Sequence, residues 1–447
     1  MPGIAIRRSS QSRNVLHSGV WFLIVAVLWS LGGCGGGGSE GSNQSTTSSS
    51  TQESTSSTNT NTNSSSTTSS NGGTTSRTNS GIVVTAVGPG IVAASMGSNS
   101  DIAFSKDGTQ YLSPVLTFDG TALTSMMGHR SNARTDKEQP VSLLLHLTGT
   151  HVGDGRVSFH SVTNPKGESL DLSIQPCVPQ YCGVLVPRMP SMKMMEGTWS
   201  YRLQSPLAQP ENFKVNATLR TGATPGEDTR LIIAPYWVQG TRFNINNVKA
   251  ALAHLVAIYA KNGIAVTMRD LTLIDDSRFS VVSLDFTHPV TSELISRGAT
   301  DAINLFFVDD FTDYGALGIA AAIPGSMGLA GGFNGILIGL SPHRVGSHVD
   351  TDFMGETAAH EMGHFLGLFH TSESTGSPQD PLEDTPECLG FRDVNASGSL
   401  ELDECTGAGA DNLMFWTPFT SWAGVHMGQD VLTPDQRTVI RYAPIAQ

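Results

Sequence analysis

The sequence predicts two folded units: an all-β sandwich-like domain over residues 81–225, followed by an α/β domain over residues 226–447. With 447 residues, the chain exceeds the length of one ordinary domain. The first unit contains short apolar runs separated at short intervals by Gly, Pro, Asn and Asp, which is typical of a sandwich. In the second unit strand-like runs alternate with runs of helical periodicity, a pattern that indicates an α/β sheet domain.

The first unit is predicted to consist of strands alone. The runs that predict strands cover residues 82–87, 141–147, 156–162, 170–174, 183–187, 199–203 and 213–219. Its histidines His146, His151 and His160 have no metal-ligand spacing, so we interpret them as ordinary strand or loop residues. No catalytic constellation is found here, and a binding module and a pro-segment both remain possible roles for the unit.

The second unit alternates strands and helices. Strands are predicted at 231–238, 265–274, 303–308 and 336–340, with a Gly-rich stretch at 315–335. An amphipathic helix is predicted at 247–261, capped by Asn246 or Asn247 and ended by Asn262-Gly263. A second helix is predicted from about 353 to 366, with Asp352 as its N-cap.

The N-terminal residues indicate export. Arginines at 7, 8 and 13 precede an apolar run at 20–31, the pattern of a signal peptide over residues 1–33. The following Leu-Gly-Gly-Cys resembles the bacterial lipobox, which predicts lipidation of Cys34 and an anchor in a bacterial membrane; ordinary secretion is the alternative. Residues 34–80 are almost entirely Gly, Ser, Thr and Asn, so we predict a disordered tether between membrane and domain.

Charge and cysteine content narrow the function further. A formal net charge of −13 argues against a nucleic-acid partner, because no basic stripe is available to neutralise phosphates. Besides Cys34 the chain has four cysteines, an even number that suggests two disulfides in an exported protein. Proximity favours Cys177 with Cys182 and Cys388 with Cys405, although four cysteines allow three connectivities.

The segment from His360 to His370 has the pattern of a zinc site. On a helix, His360 and His364 lie one turn apart on the same face, so both imidazoles can reach one ion. Glu361 beside them can take a proton from a zinc-bound water. A sharp turn at Gly367 would bring His370 in as third ligand, and three protein ligands leave a position open for catalysis.

These residues resemble the metzincin zinc metallopeptidases, and more closely their pappalysin-like branch. The resemblance extends to HTSE at 370–373, to DPLEDTPEC at 380–388 and to DNLM at 411–414, within roughly residues 227–447. It implies a catalytic domain with a twisted mixed sheet and an active-site helix, one catalytic zinc ion, and Met414 in a Met-turn beneath the metal. The family commonly has Tyr two residues after this Met; the chain has Trp416, to which we assign no catalytic role.

A second metal site is predicted in the loop at 393–404. Its oxygen side chains and Gly398 match the spacing of an EF-hand calcium loop. The candidate calcium ligands are Asp393, Asn395, Ser397, Ser399, Glu401 and Glu404. The alternative is a polar surface turn closed by a disulfide.

The sequence therefore predicts a zinc endopeptidase that hydrolyses protein or peptide substrates outside the cytoplasm, with a zinc-activated water and Glu361 as general base. We expect the substrate to lie extended along the strand at 336–340. The rival hypothesis is a surface-anchored binding protein with an inactive zinc domain. A further possibility is latency, in which Cys177 or Cys182 caps the zinc.

Overall fold

The computed structural model describes most of the chain beyond the predicted tether. It covers residues 75–77, 83–119, 139–153, 156–173, 177–239, 243–313, 315–418 and 428–447. The predicted signal peptide, Cys34 and the tether apart from residues 75–77 lie outside the described residues. Within the described ranges, no helix has the length and apolar character needed to cross a bilayer.

Residues 75–222 form two antiparallel sheets that enclose a common core. The seven-stranded sheet has the order β1-β2-β3-β12-β7-β10-β9, and in the other sheet β11 pairs with β5, β6 and β8 while β4 pairs with β5. The strands are β1 (Thr75–Arg77), β2 (Val83–Gly88), β3 (Ile91–Ser98), β4 (Ser105–Asp107), β5 (Gln110–Leu112), β6 (Leu116–Asp119), β7 (Gln139–Thr148), β8 (Ser158–Thr163), β9 (Cys177–Val178), β10 (Tyr181–Val186), β11 (Thr198–Ser205) and β12 (Lys214–Gly222).

Two differences from the predicted strands have local causes. The strand predicted at 170–174 is wrong, because residues 170–173 lie outside any strand and Asp171 accepts hydrogen bonds from the backbone N–H and hydroxyl of Ser173. Such local bonds favour a turn over a sheet ladder. Strand β3 was not predicted, since its sequence is rich in Ala, Ser and Gly, which have little strand preference.

Strand β7, within the seven-stranded sheet, is buried on both faces. Leu143, Leu145 and Leu147 of β7 point into the sandwich core, whereas Leu144 between them belongs to the core of the following α/β region. Successive side chains of a strand point to opposite faces, so this alternation places β7 between two cores. The α/β region therefore packs directly on the outer face of the sandwich.

Residues 230–447 contain a mixed sheet with the order β14-β13-β17-β20-β19, parallel except for β19, while β15 also pairs with β13. The remaining strands are β13 (Arg230–Val238), β14 (Ala265–Met268), β15 (Thr272–Ile274), β16 (Val281–Val282), β17 (Ile303–Val308), β18 (Asp310–Phe311), β19 (Gly318–Ala320), β20 (Ile336–Gly339), β21 (Arg344–Val345) and β22 (His348–Val349). The helices are α1 (Ile245–Lys261), α2 (Pro289–Ile295), α3 (Thr351–Phe365) and α4 (Pro434–Tyr442). Short 3-10 turns cover Ser277–Phe279, Ser341–His343 and Gly390–Arg392.

Both predicted helix caps are placed two or more residues too late. Asn244, rather than Asn246 or Asn247, caps α1 by accepting a hydrogen bond from the backbone of Asn246 at 2.9 Å. Asp350 caps α3 by accepting from Phe353 N at 3.0 Å, while Asp352 lies in the first turn. An acid in the first turn still interacts favourably with the helix dipole, so sequence alone does not separate it from a cap.

The strand predicted to bind substrate is not at the edge of the sheet. Strand β20 pairs with β17 on one side and with β19 on the other. The Gly-rich stretch before it folds back as β19, which forms the sheet edge instead. The expectation for residues 336–340 is therefore wrong, and Gly318–Ala320 takes the edge position.

Candidate metal centre

Helix α3 carries His360, Glu361 and His364 and packs closely on α1. Tyr259 of α1 donates a hydrogen bond to the carbonyl of Ala359 at 3.0 Å. A Cβ on Gly355 would lie 2.6 Å from the carbonyl oxygen of Ala251, so glycine permits this close approach. The imidazoles of His360 and His364 lie one turn apart with ring centroids 4.6 Å from each other.

The turn after α3 brings the third histidine to the other two. Leu366 ends the helix, and Gly367 follows with φ of +108°, a conformation that side-chain-bearing residues rarely adopt. Gly367 N donates to His364 O at 2.9 Å, closing the last turn. The chain then reverses toward the helix and delivers His370, as the sequence predicts.

The three imidazoles converge with the geometry of a metal site. The Nε2 atom of His370 lies 3.1 Å from that of His364 and 3.3 Å from that of His360. Two nitrogens at about 2.0–2.1 Å from a tetrahedral zinc ion are separated by about 3.3–3.4 Å. These distances fit a single zinc ion between the rings. In the part of the chain that the structure describes, the ligand atoms of these three histidines lie close enough together to share one ion.

Hydrogen bonds fix which nitrogen of each ring faces the centre. Each Nδ1 donates to an oxygen acceptor on the side away from the other rings. The pairs are His360 with Leu413 O (2.6 Å), His364 with Leu368 O (2.8 Å) and His370 with Glu373 Oε1 (3.0 Å). Carbonyl and carboxylate oxygens accept hydrogen bonds, so each ring carries its proton on Nδ1 and keeps the lone pair of Nε2 free. Metal-binding histidines are oriented by hydrogen bonds of this kind.

Burial keeps the two helical histidines neutral. It lowers the pKa of His360 to about 3 and lowers the pKa of His364 well below its ordinary value. A neutral imidazole is the form that binds a metal ion. The rings are thus ready to bind a cation at neutral pH without first losing a proton.

Glu361 is the carboxylate of the centre. Its side chain is buried, and its Oε2 accepts a hydrogen bond from Ala320 N of β19 at 2.7 Å. A Cβ on Gly318 would lie 3.1 Å from Glu361 Cγ, so the small residue leaves room for the acid. Burial raises the pKa of Glu361 to about 7, near the value that suits a proton acceptor at neutral pH.

Met414 lies against helix α3 at Gly363, and its role in a Met-turn stays a prediction. A Cβ on Gly363 would approach its sulfur to 2.4 Å, so α3 and Met414 are in direct contact. The Asn412 side chain accepts from Met414 N at 2.8 Å and holds the turn. Trp416 packs at the edge of a small core around Cys388 and Phe415, and its indole N–H has no partner among the described residues.

The structure pairs the four cysteines as their proximity predicts. Cys177 bonds Cys182 and links β9 to β10, and Cys388 bonds Cys405. Because Cys177 and Cys182 are joined to each other, neither offers a thiol to cap a metal in this structure. The latency mechanism considered from the sequence therefore has no support here.

The loop proposed for calcium is exposed and uses its acids internally. Asp393 accepts from Ser397 N and Gly398 N, and Glu404 accepts from Val394 N and Glu401 N. These bonds shape a turn whether or not a cation is present. Calcium binding there stays a prediction.

Two acids near the centre were missed by the sequence analysis. Glu373 accepts the Nδ1 hydrogen bond of His370, and its signal was a carboxylate three residues after the third histidine. Glu356 is buried on α3 and lines a pocket that opens on His360 and Glu361. Its signal was an acid one helical turn before His360. In contrast, His146, His151 and His160 contribute to no metal-binding group among the described residues.

Comparison with known proteins gives one relative by sequence. No protein-family model matches the chain. Over 158 residues, or 34% of its length, the chain is 30% identical to Extracellular metalloprotease 1 of Coccidioides posadasii (strain C735). The match covers 53% of that protein, so the chain spans about half the length of the relative. The chain thus has a metalloprotease homologue.

Solved structures with partial likeness to the chain were also found. Archaemetzincin from Methanopyrus kandleri has a TM-score of 0.23 at 11% identity, covering 48% of this chain and 88% of its own. Metalloproteinase-II from Bacteroides fragilis has a TM-score of 0.25 at 10% identity, and the match covers 66% of this chain and 73% of that structure. Myroilysin has a TM-score of 0.23 at 12% identity, and the match covers 49% of this chain and 94% of that structure. At such TM-scores, these structures carry no conclusion about the present chain.

Proposed function

We propose that the protein is a zinc-dependent endopeptidase. The observation that carries this proposal is the convergence of three imidazoles beside the buried carboxylate of Glu361. A site built for structure alone is usually closed by a fourth protein ligand, and no further ligand joins the triad among the described residues. The metalloprotease relative supports the same reaction class.

His360, His364 and His370 would hold the ion. When bound, zinc supplies Lewis-acid chemistry that polarises a carbonyl and acidifies water. Glu361 accepts the proton of the attacking water and returns it to the leaving amine, with Ala320 N–H holding the carboxylate in place. The imidazoles are kept in orientation by three acceptors, which are the carbonyls of Leu413 and Leu368 and the carboxylate of Glu373.

The substrate is proposed to lie extended along β19. This strand is the sheet edge in the described structure, and Ala320 at its end contacts Glu361 directly. An extended peptide can add to such an edge through main-chain hydrogen bonds. Scissile bonds would then pass beside the metal, which suits cleavage within a chain.

We further propose that the enzyme works outside the cytoplasm. The signal peptide pattern at residues 1–33 and the Cys34 lipobox support export and a lipid anchor on a bacterial membrane. The tether composition supports a flexible link that lets the catalytic unit reach protein substrates. The motifs at 370–373, 380–388 and 411–414 support a place in the pappalysin-like branch.

Chelation tests the proposal. We expect purified protein to cleave casein and to lose this activity in 1,10-phenanthroline, because removing the ion removes the Lewis acid that the triad would hold. Adding zinc after dialysis should restore cleavage, measured as acid-soluble peptides. Unchanged cleavage with zinc fully removed would contradict the proposal, and no cleavage by zinc-loaded protein would favour the binding-protein alternative.

A further inference from the structure

The backbone of residues 412–414 supports two parts of the histidine triad. The carbonyl oxygen of Leu413 accepts the Nδ1 hydrogen bond of His360 at 2.6 Å. The carbonyl oxygen of Met414 accepts from the backbone N–H of Thr371 at 3.0 Å, directly after the third histidine. Two of the three imidazoles therefore depend on where this segment places its carbonyl groups.

A pair of buried side-chain amides joins this segment to helix α4. Gln436 Nε2 donates to Asn412 Oδ1 at 3.1 Å, and Asn412 Nδ2 donates to Gln436 Oε1 at 2.9 Å. The same Oδ1 atom accepts from the backbone N–H of Met414 at 2.8 Å. Only 2% of Asn412 and 0% of Gln436 are exposed, so water is not at hand to replace a lost bond.

The start of helix α4 sets the orientation of both amides. Thr433 N donates to Gln436 Oε1 at 2.9 Å, and Gln436 N donates to Thr433 Oγ1 at 3.3 Å, which together form a capping box. Because Oε1 accepts from this backbone N–H, Nε2 is the atom that faces Asn412. Asn412 must then turn its Oδ1 toward Met414 N. The hydrogen bonds thus select one arrangement of the two side chains.

A buried amide pair contributes more to position than to stability. Burying two amides costs free energy that their mutual hydrogen bonds offset, and apolar groups of the same shape can be nearly as stable. A fully satisfied buried polar network, however, admits a single arrangement and is rigid. Here the rigid part is the connection from helix α4 to residues 412–414, and so to His360.

We propose that Gln436 is a positioning residue for the metal centre, acting through Asn412 on the backbone carbonyl that orients His360. The inference rests on zinc binding by the triad, which is the site of the proposed function. Without the Gln436 amide, the Asn412 side chain loses a donor and an acceptor, and residues 412–414 are free to shift. Loss of the outer support of a ligating histidine lowers metal affinity about 10- to 100-fold.

Zinc affinity, measured by competition with a chelating indicator, tests the inference. Gln436→Met keeps the length of the side chain but lacks the amide, and should weaken zinc binding about tenfold or more. Thr433→Ala is the matched control, because it removes the side-chain acceptor of the same capping box and leaves the Asn412–Gln436 pair. It should lower the melting temperature while zinc affinity changes less than about threefold.

A pH profile separates positioning from a general loss of stability. In Gln436→Glu the ionised carboxylate cannot donate to Asn412 Oδ1, whereas the protonated acid can donate through its O–H. Zinc affinity relative to wild type at the same pH should therefore fall as pH rises through the pKa of the introduced carboxyl, which burial raises. Gln436→Met has no such group, so its affinity relative to wild type should not depend on pH.

The outcomes are read from zinc affinity and do not require cleavage. Gln436→Met protein that binds zinc as tightly as wild type overturns the inference, and so does an equal loss of affinity in Thr433→Ala. A deficit in Gln436→Glu that is independent of pH also contradicts it. Wild-type protein that binds zinc but cleaves no peptide refutes the peptidase proposal, and the same affinities then still decide this inference. Wild-type protein that binds no zinc overturns both.

Discussion

Replacing Glu361 with glutamine is expected to lower kcat for peptide hydrolysis by about 10²- to 10⁴-fold while zinc stays bound. The amide oxygen can still accept the Ala320 N–H bond that the carboxylate accepts at 2.7 Å, so the geometry of the centre is kept. An amide, however, cannot take up a proton from water at neutral pH. The imidazole ligands are untouched, so zinc binding should not change.

The measurement is kcat with a fluorogenic peptide, together with zinc per chain by mass spectrometry. Glu211→Gln, which changes an exposed carboxylate in the sandwich, is the matched control and should behave as wild type. Full activity in zinc-loaded Glu361→Gln protein would refute the role of Glu361 as general base. Loss of zinc would instead assign Glu361 a part in holding the site together.

Residues 226–447 expressed without the sandwich are expected to lose stable folding and zinc binding. Strands β7 and β10 contribute Leu144 and Leu185 to the same core as helix α3. Thr218 of β12 donates to Met327 O at 2.7 Å, and Tyr181 stacks on Phe333 at 5.2 Å between ring centroids. Removing the sandwich would expose this apolar face to water, which costs stability in proportion to its area.

A matched pair of leucine variants sharpens this expectation. Leu185 contacts the turn at Gly367, where a Cβ would come within 2.6 Å of its methyl group, whereas Leu203 lies wholly within the sandwich core. Leu185→Ala and Leu203→Ala should each cost about 2–5 kcal/mol of unfolding free energy. Only Leu185→Ala should also weaken zinc binding, because the turn that delivers His370 loses its support.

The comparison is made by chemical denaturation and by zinc titration against a chelating indicator. A 226–447 fragment that melts cooperatively and binds zinc like the full chain would show that the sandwich is a separable module. Equal zinc affinity in the two leucine variants would show that the contact at Gly367 does not support the site.

The histidine cluster could be predicted from the sequence because its geometry is local. Helical periodicity places His360 and His364 on one face, and Gly367 permits the reversal that brings in His370. The predicted convergence of these residues appears in the structure, with nitrogen separations of 3.1 and 3.3 Å. Helix and strand positions were also largely predictable, since apolar periodicity reports which face is buried.

Non-local features could not be predicted in this way. The edge role of β19 depends on how a Gly-rich stretch folds back, which no periodicity encodes. The burial of β7 on both faces had a signal in the continuous apolar run at 143–145, which differs from the alternation of a strand with one wet face. The partner of that second face, however, is set by tertiary packing.

The central claim, an open zinc site held by three histidines, is tested most directly by X-ray absorption at the zinc edge of the purified protein. We predict one zinc per chain with three imidazole nitrogens at about 2.0–2.1 Å and the remaining coordination filled by water oxygen. A spectrum that requires a fourth protein ligand, or a protein that binds no zinc, would contradict the account.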